Sequence, residues 1–592
     1  MTRARLLSLL EPQAKRQLAL IGSLVIATAL CEAASVTAIY PFLLVAMNPD
    51  SLPTGGLIGL AFDVSGAAGP REFLLLLGTV ILGLVILSNA LGAFTAWRQQ
   101  RFVRDFEQSL SVRMLRHFLY QPYPFFLRHN TSEIQRRLLK EPRDISDGAL
   151  DPALDILQRG VATLAVFAVL LAVEPRVAVA AALTFGALYV GLYRFAGKRL
   201  QASGERVHRA SQVAAKASAE ALNSIKLLKV TRREEYFVAS FVETNGVVEK
   251  HRARHAMFSK MPRYVIEGAT FALTMVAFLV VLAAGRDFTS ILPLLGMFAF
   301  AGFRLMPAVH GIVNAAGRMR FGTSVLEAVV EELSAPPPPR SSTRPLNLPF
   351  HQELRLDNVR FAYADNGRIA LDGVSFRVPR GTSLGIVGRT GSGKTTVLDI
   401  LLGILEPTQG QVLVDGSPLD AATLPRWQQV VSYVPQQVVL LDDTIARNIA
   451  FGVPDDAIDM ARVRAAARSA NIQDYIETDL PDGYATTVGE RGVRLSGGQR
   501  QRIGIARALY ENREVIVFDE ATSEVDSVTE RAINEAIAAM AHKKTIIVVA
   551  HRLTAIRECD QVLVLEDGRV AARGNYDELL QSASSFQSLA QR

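Results

Sequence analysis

Apolar stretches of about 20 residues recur through the first half of this 592-residue chain and are missing from the second. A run of that length with few charges matches the path of an α-helix across the hydrocarbon of a bilayer. Lipid offers the backbone no hydrogen bonds, so such runs must satisfy their own polar groups by coiling. The chain therefore divides into a helical membrane half and a charged, glycine-rich soluble half. Six spans can be drawn, at about 18–47, 73–97, 153–173, 176–196, 264–284 and 291–314. Hydrophobic residues make up 49% of the chain and mean hydropathy is +0.21, which agrees with a membrane protein.

The loops set the orientation. Loops 98–152 and 197–263 are long and rich in Arg and Lys, whereas 48–72, "VEPR" and "GRDFTS" hold one basic residue each: Arg71, Arg176 and Arg286. Positive charge stays inside, so both termini and both long loops belong to the cytoplasm. The first apolar run is too long for a signal sequence and shows no clear cleavage site, so it reads as a retained span. Within the long loops, "TSEIQRRLLKEPRDI" (131–145) opens on a Thr/Ser cap and continues at helical spacing. "EALNSIKLLKVTRREEYFVASF" (220–241) has the same texture. Either is a solvated helix or one that docks on another domain.

Four successive prolines in "LSAPPPPRSSTRPLNLPF" favour an extended spacer that cannot build a core. The expected domains are a transmembrane domain at 1–332, a linker at 333–350 and a nucleotide-binding domain at 351–592. A net charge of +7 fits anionic lipid and the orientation rule. No basic tract interleaved with aromatics points to nucleic acid. Cys31 and Cys559 fall in different halves, so neither a disulfide framework nor a metal site is suggested.

The soluble half carries chemistry. "LGIVGRTGSGKTTVLDILLG" runs from a strand pattern into a helical one through Gly388, Arg389, Thr390, Gly391, Ser392, Gly393, Lys394 and Thr395, with Thr396 adjoining. This is G-x-x-x-x-G-K-T between strand and helix. Glycines let backbone N–H groups wrap phosphates, and the helix turns its positive end toward them. Lys394 adds a point charge at the β- and γ-phosphates, and Thr395 offers a hydroxyl to Mg²⁺. Downstream, "EVIVFDEATSEVD" ends an apolar strand on Asp519, a carboxylate placed for the Mg²⁺ shell, followed by Glu520, a candidate general base. Between them, "RLSGGQRQRIGIARAL" (494–509) presents Ser496, Gly497, Gly498 and Gln499 at a helix start. They read either as a serine N-cap with flexible glycines or as a second anion site. A second phosphate-facing start makes sense only if it serves another nucleotide.

L-S-G-G-Q with both phosphate motifs resembles the ATP-binding cassette (ABC) family, and the resemblance covers the whole chain. Six spans, a linker and one nucleotide domain are similar to an ABC exporter half-transporter. The implied fold is an α-helical membrane domain of exporter type with long cytoplasmic extensions. It is joined to an α/β P-loop domain with an α-helical signature subdomain. The resemblance gives Tyr363 in "RFAY" the role of stacking on adenine. It has Gln436 in "YVPQQ" reach Mg²⁺, with Thr395 and Asp519. It matches Glu490 in "TVGERG" to a stretch before the signature. It makes Asp526 part of the loop crossing between nucleotide domains and gives His551 in "VAHRL" the γ-phosphate contact. Glu520, His551 and Gln436 are then the catalytic group, with ATP and Mg²⁺ as cofactors. One departure stands out: Ser523-Glu524-Val525-Asp526 replaces the usual S-A-L-D but keeps the aspartate. In the family one copy's signature closes on the other copy's P-loop, which implies a homodimer working by alternating access. Helices at 131–145 and near 225–235 would then be coupling contacts.

Arg304, in "FAFAGFRLMPAV" (298–309), is a guanidinium in a predicted span. It either snorkels or pairs with Glu32 or Glu267, or it faces a cavity and grips an anionic headgroup with help from Arg263. "RLMPAVHGI", "MPRYVIEG" and "EAASVTAIYPFLLVAM" resemble the PglK-type flippases of lipid-linked oligosaccharides. That resemblance implies a polyprenyl-pyrophosphate oligosaccharide or related anionic glycolipid as cargo, moved in a bacterial inner membrane with the nucleotide domain cytoplasmic. The alternatives are a lipid, peptide or drug exporter of the same architecture, and an ATP-gated channel or regulator.

Overall fold

The computed structural model describes the chain except residues 1–8, 10, 48–61, 68, most of 181–217, 284–287, 335–349, 364–366, 490–491, 522–526 and 591–592. It forms two compact units. One holds Met1–Tyr120 and His129–Pro337, the other Gln121–Arg128 and Pro338–Arg592. The proline-rich linker and most of the 48–72 loop lie outside the described residues.

The first unit is helical: α1 Pro12–Met47, α2 Pro70–Leu119, α4 Thr131–Ile145, α5 Asp151–Val173, α6 Ile225–Thr231, α7 Glu234–Ala283 and α8 Phe288–Ser334. α3 (Tyr123–Arg128) belongs to the second unit. Four helical stretches among the described residues are long and apolar enough to cross a membrane: Pro12–Met47, Pro70–Leu119, Thr131–Val173 and Pro293–Met319. About half of the predicted span at 176–196 lies outside the described residues, and that at 264–284 falls almost wholly in α7. The 50 residues of α2 extend about 75 Å at 1.5 Å per residue, more than twice a hydrocarbon core. Past Trp97 its apolar positions thin to one face, with Phe102, Val103, Phe106, Leu110 and Met114 buried. That pattern is a helix continuing into water against protein.

α1 packs on α2, α5 and α8, around Val36, Val166, Leu170, Met297 and Ala301. Charges add ties along α8. Arg318 forks to Asp151 at 3.0 Å and Asp155 at 2.8 Å, Arg137 pairs with Glu332, and Arg159 donates to the Pro307 carbonyl at 3.3 Å. Arg304 Nη1 stands 3.7 Å from Glu32 Oε1, and its guanidinium lies 5.8 Å from the Phe300 ring centre. The expected pairing of Arg304 with Glu32 is present. Arg263 falls in α7, its side chain outside the described part.

The second unit has two sheets. β1 (Glu353–Ala362), β2 (Ile369–Pro379), β4 (Gln409–Val414) and β5 (Ser417–Pro418) form an antiparallel sheet in the order β2-β1-β4-β5. The other, in the order β10-β9-β3-β8-β7-β6, uses β3 (Ser383–Gly388), β6 (Val431–Val434), β7 (Val515–Asp519), β8 (Thr545–Val549), β9 (Gln561–Glu566) and β10 (Arg569–Gly574). All its pairings are parallel except β9–β10. Every residue of β3, β7 and β8 is buried, as expected of parallel strands covered on both faces. Parallel strands end on one edge. The carboxyl ends of β3, β6, β7 and β8 therefore lie side by side, where open α/β sheets hold their ligands. α9 (Lys394–Leu401) follows β3. α10 (Met460–Ser469) and α11 (Gly497–Glu511) form a helical subdomain inserted between β6 and β7, packed through Val463, Ala466, Ala467, Ile503 and Ala506.

Candidate nucleotide site

The loop after β3 folds as its glycines require. Gly391 and Gly393 take positive φ, +84° and +101°, which L side chains avoid. A Cβ on Gly393 would stand 2.7 Å from the Ala370 carbonyl oxygen. Gly393 caps α9, so the free N–H groups of that helix start at Lys394 and point toward the loop. Lys394 Nζ donates to the carbonyls of Gly388 at 2.8 Å and Arg389 at 3.2 Å. Burial lowers its pKa, opposed by the charges of Glu520 and Asp519. Ser392 Oγ is buried with no hydrogen-bond partner. A buried orphan hydroxyl inside a ring of backbone donors is a site built for an oxyanion.

A cavity of about 470 Å³ opens over this loop, lined by Tyr363, Arg368, Thr390, Gly391, Gly393, Lys394, Thr395, Thr396, Gln436, Glu520 and His551 among others. The residues come from five places in the sequence, and the sheet edge brings them together. Tyr363 stands at its rim: its hydroxyl shares a hydrogen bond with Thr396 Oγ1 at 3.1 Å, and its ring meets Phe361 edge-on. At the end of β7, Glu520 has φ +47°, a conformation that costs about 1–2 kcal/mol for a side chain of its type. Its backbone N–H donates to the Val549 carbonyl at 2.8 Å, which holds that turn against β8. Both carboxylate oxygens are engaged: Gln436 Nε2 donates to Oε2 at 2.8 Å, and His551 Nε2 lies 2.7 Å from Oε1. Asp519 is buried, and burial raises its pKa, while the Tyr433 hydroxyl, donating to Oδ2 at 3.1 Å, opposes the rise.

Thr395 hydroxyl, Gln436 amide oxygen and Asp519 carboxylate are hard oxygen donors, the set that suits Mg²⁺ shared with phosphate. Among the described residues no cluster of three His, Cys, Asp or Glu could hold a metal by itself. Mg²⁺ bound by so few protein oxygens keeps several waters and shares its shell with phosphate.

Ser496 caps α11 through a reciprocal pair: its Oγ accepts from the Gln499 N–H at 3.3 Å, and Gln499 Oε1 accepts from the Ser496 N–H at 2.7 Å. Ser496, Gly497, Gly498 and Gln499 do not line the cavity. Glu490, Asp526 and the Ser523–Asp526 departure lie outside the described residues. The sequence reading missed three residues. Arg368 lines the cavity, Tyr433 holds Asp519, and Asp399 stands buried behind Asp519 on α9. A tyrosine in an otherwise apolar strand, "VSYV", and an aspartate in the apolar run "VLDILLG" were the only signals.

Residues 371–523 match the ABC transporter family, and residues 53–291 match the ABC transporter transmembrane region. The ATP-dependent lipid A-core flippase of Cupriavidus metallidurans is 30% identical over 473 residues, covering 80% of this chain and 79% of that protein. The chain belongs to the ABC transporter family. The lipid A-core flippase of Saccharophagus degradans is 28% identical over 543 residues, covering 91% of this chain and 89% of the relative. A solved bacterial Atm1-family ABC exporter with ATP bound shares the fold, with a TM-score of 0.78, 24% identity and 98% of both chains covered. As an ABC exporter half-transporter, the chain joins a helical transmembrane region to an ATPase domain that drives movement across the membrane.

Proposed function

We propose that two copies of this chain form an ATP-driven flippase for an anionic glycolipid in a bacterial inner membrane, with the nucleotide domains cytoplasmic. The observation that carries the ATPase assignment is Glu520, held between Gln436 and His551 at the mouth of a phosphate loop. Lys394 bonds its own loop, and both Glu520 oxygens are occupied. ATP phosphates draw Lys394 off the carbonyls of Gly388 and Arg389, and the γ-phosphate takes His551. Thr395, Gln436 and Asp519 would hold Mg²⁺, which would supply charge neutralisation on the phosphates. Gln436 and His551 then leave Glu520, whose carboxylate is free to accept the proton of the attacking water. Tyr363 stacks on adenine. The Ser496–Gln499 helix start, which does not line its own chain's cavity, supplies its free N–H groups to the ATP of the partner copy.

The cargo reading rests on relatives named as lipid A-core flippases that align through the spans as well as the cassette. A polyprenyl-pyrophosphate oligosaccharide and a lipid A-core share phosphate, sugar and acyl or polyprenyl tail. Arg304 and Arg263 are the candidate phosphate contacts, with Glu32 holding Arg304 until an anion competes for it. The test is transport in proteoliposomes with each labelled lipid. ATP should move at least one of them across the bilayer, and Glu520→Gln should bind ATP yet slow turnover and flipping at least about 100-fold. Movement that persists in Glu520→Gln would replace pumping by gating, and ATP-driven movement of neither lipid would remove the glycolipid assignment.

A further inference from the structure

A second cavity, of about 150 Å³, lies in the first unit between the start of α1 and the point where α2 leaves its predicted span. Arg98, Arg101, Phe102 and Asp105 line it from α2, Gln17 and Ile21 from α1. Arg98, Arg101 and Asp105 are spaced i, i+3, i+7, which stacks them on one helix face. Trp97, exposed at the end of the span, sits where tryptophans mark the boundary between hydrocarbon and headgroups. The guanidinium carbons of Arg98 and Arg101 lie 6.0 and 5.9 Å from its ring centre. Among the described residues neither guanidinium has a carboxylate within ion-pair distance, whereas neighbouring Arg104 has two, Glu107 and Asp147. Two arginines without counter-ions, side by side at headgroup depth, form a phosphate fork.

Asp105 decides the class of phosphate. It lies one turn beyond Arg101, about 6 Å farther along α2 and away from the hydrocarbon. A carboxylate there repels a second anionic group and accepts hydrogen bonds from an ammonium. We infer that this cavity binds a phosphatidylethanolamine headgroup of the inner leaflet, its phosphodiester on Arg98 and Arg101 and its ammonium on Asp105. Gln17 supplies an amide from the facing helix, and Ile21 and Phe102 close the apolar side. The site stands apart from the cargo reading, and no residue of the nucleotide site takes part in it.

The full-length protein in phosphatidylcholine nanodiscs tests the assignment. Small fractions of acyl-brominated phosphatidylethanolamine, phosphatidylglycerol or phosphatidylcholine are added, and tryptophan quenching is read. The chain has two tryptophans, and the other, Trp427, is fully buried in the second unit. Phosphatidylethanolamine should quench Trp97 at the lowest fraction. Arg98→Gln with Arg101→Gln should weaken that association about tenfold or more, the value of a lost charge-assisted hydrogen bond. Asp105→Asn should retain lipid but lose the preference for phosphatidylethanolamine over phosphatidylglycerol. ATP turnover and elution volume report folding. If the glutamine pair misfolds, Arg98→Lys with Arg101→Lys keeps the charge without the fork and should still weaken quenching. Equal quenching by the three lipids, preference for phosphatidylglycerol in the unaltered protein, or variants identical to it would overturn the proposal. Displacement by micromolar O-phosphoethanolamine would overturn it too, by making the site one for a soluble ester.

Discussion

Asp399 shows what a single residue does that a motif does not reveal. It stands inside α9, five positions after Lys394, where a helix buried on the sheet would be served by another leucine. Its carboxyl is buried, and burial, with the charge of Asp519 behind it, pushes its pKa up to about 7. The unfolded chain releases that proton near the usual 3.8. Between these values the folded state holds a proton that the unfolded state has lost, so stability falls as pH rises through the window. Above about pH 7 the full penalty is present, at most about 4 kcal/mol. Asp399→Asn removes it. Thermal unfolding of the full-length protein should show the variant more stable than its parent at pH 8 and the difference shrinking toward pH 4. A gap that does not change with pH would refute this account. At this scale the phosphate loop was legible because its chemistry is local: glycines, lysine and threonine act within one turn of chain. Asp399 and Tyr433 were not, because their partner Asp519 lies more than 80 residues away and meets them only through the sheet.

Helices were read well where hydrophobic period or length is the signal, and less well at their ends. The run at 131–145 does form a helix, but its cap is Asn130, not the threonine or serine that follows. The Asn130 side chain accepts from the Ser132 N–H at 3.0 Å. The helix then passes through a π-helical turn, Ser146–Leu150, straight into the third span. Gln121–Arg128, just upstream of this helix, groups with the nucleotide domain. Burial, with Asp399 and Tyr363 adding to it, raises the Tyr123 pKa and so places α3 beside the nucleotide site. Six residues of "YPFFLR" are too few for periodicity to declare a helix. The half of α2 past Trp97 is an amphipathic continuation with no long apolar run, and it was expected through the resemblance, which implied long helical extensions beyond the spans. Asn130→Ala should cost about 1 kcal/mol, the usual value of a lost N-cap, and localise it. Hydrogen exchange should speed up in the first turn of 131–145 while α9 and the P-loop stay unchanged. An unaltered first turn would mean that packing, and not the cap, holds the start of α4.

At the scale of the whole molecule, the order of membrane half and cassette was legible because each has its own composition. Completeness of the nucleotide site was not, because one chain holds both a phosphate loop and a signature helix but does not bring them to one cavity. In the proposed dimer two chains would resolve this by symmetry, each lending its signature to the other's loop. Mixed dimers separate this arrangement from a site complete in each chain. Lys394→Ala disables the loop, and Gly498→Asp sets a carboxylate at the helix start where phosphate would approach. Dimers of either variant alone then have no intact site. In a mixed dimer the two lesions fall on the same composite site, and the other site pairs an intact loop with an intact signature. Random assembly of equal amounts makes about half the dimers mixed, so about a quarter of all sites are intact. Co-expressed and tandem-purified on two tags, mixed dimers should hydrolyse ATP where each parent variant does not. If every site were built within one chain, each chain in the mixture would still carry a lesion in its own site, and mixing would restore nothing.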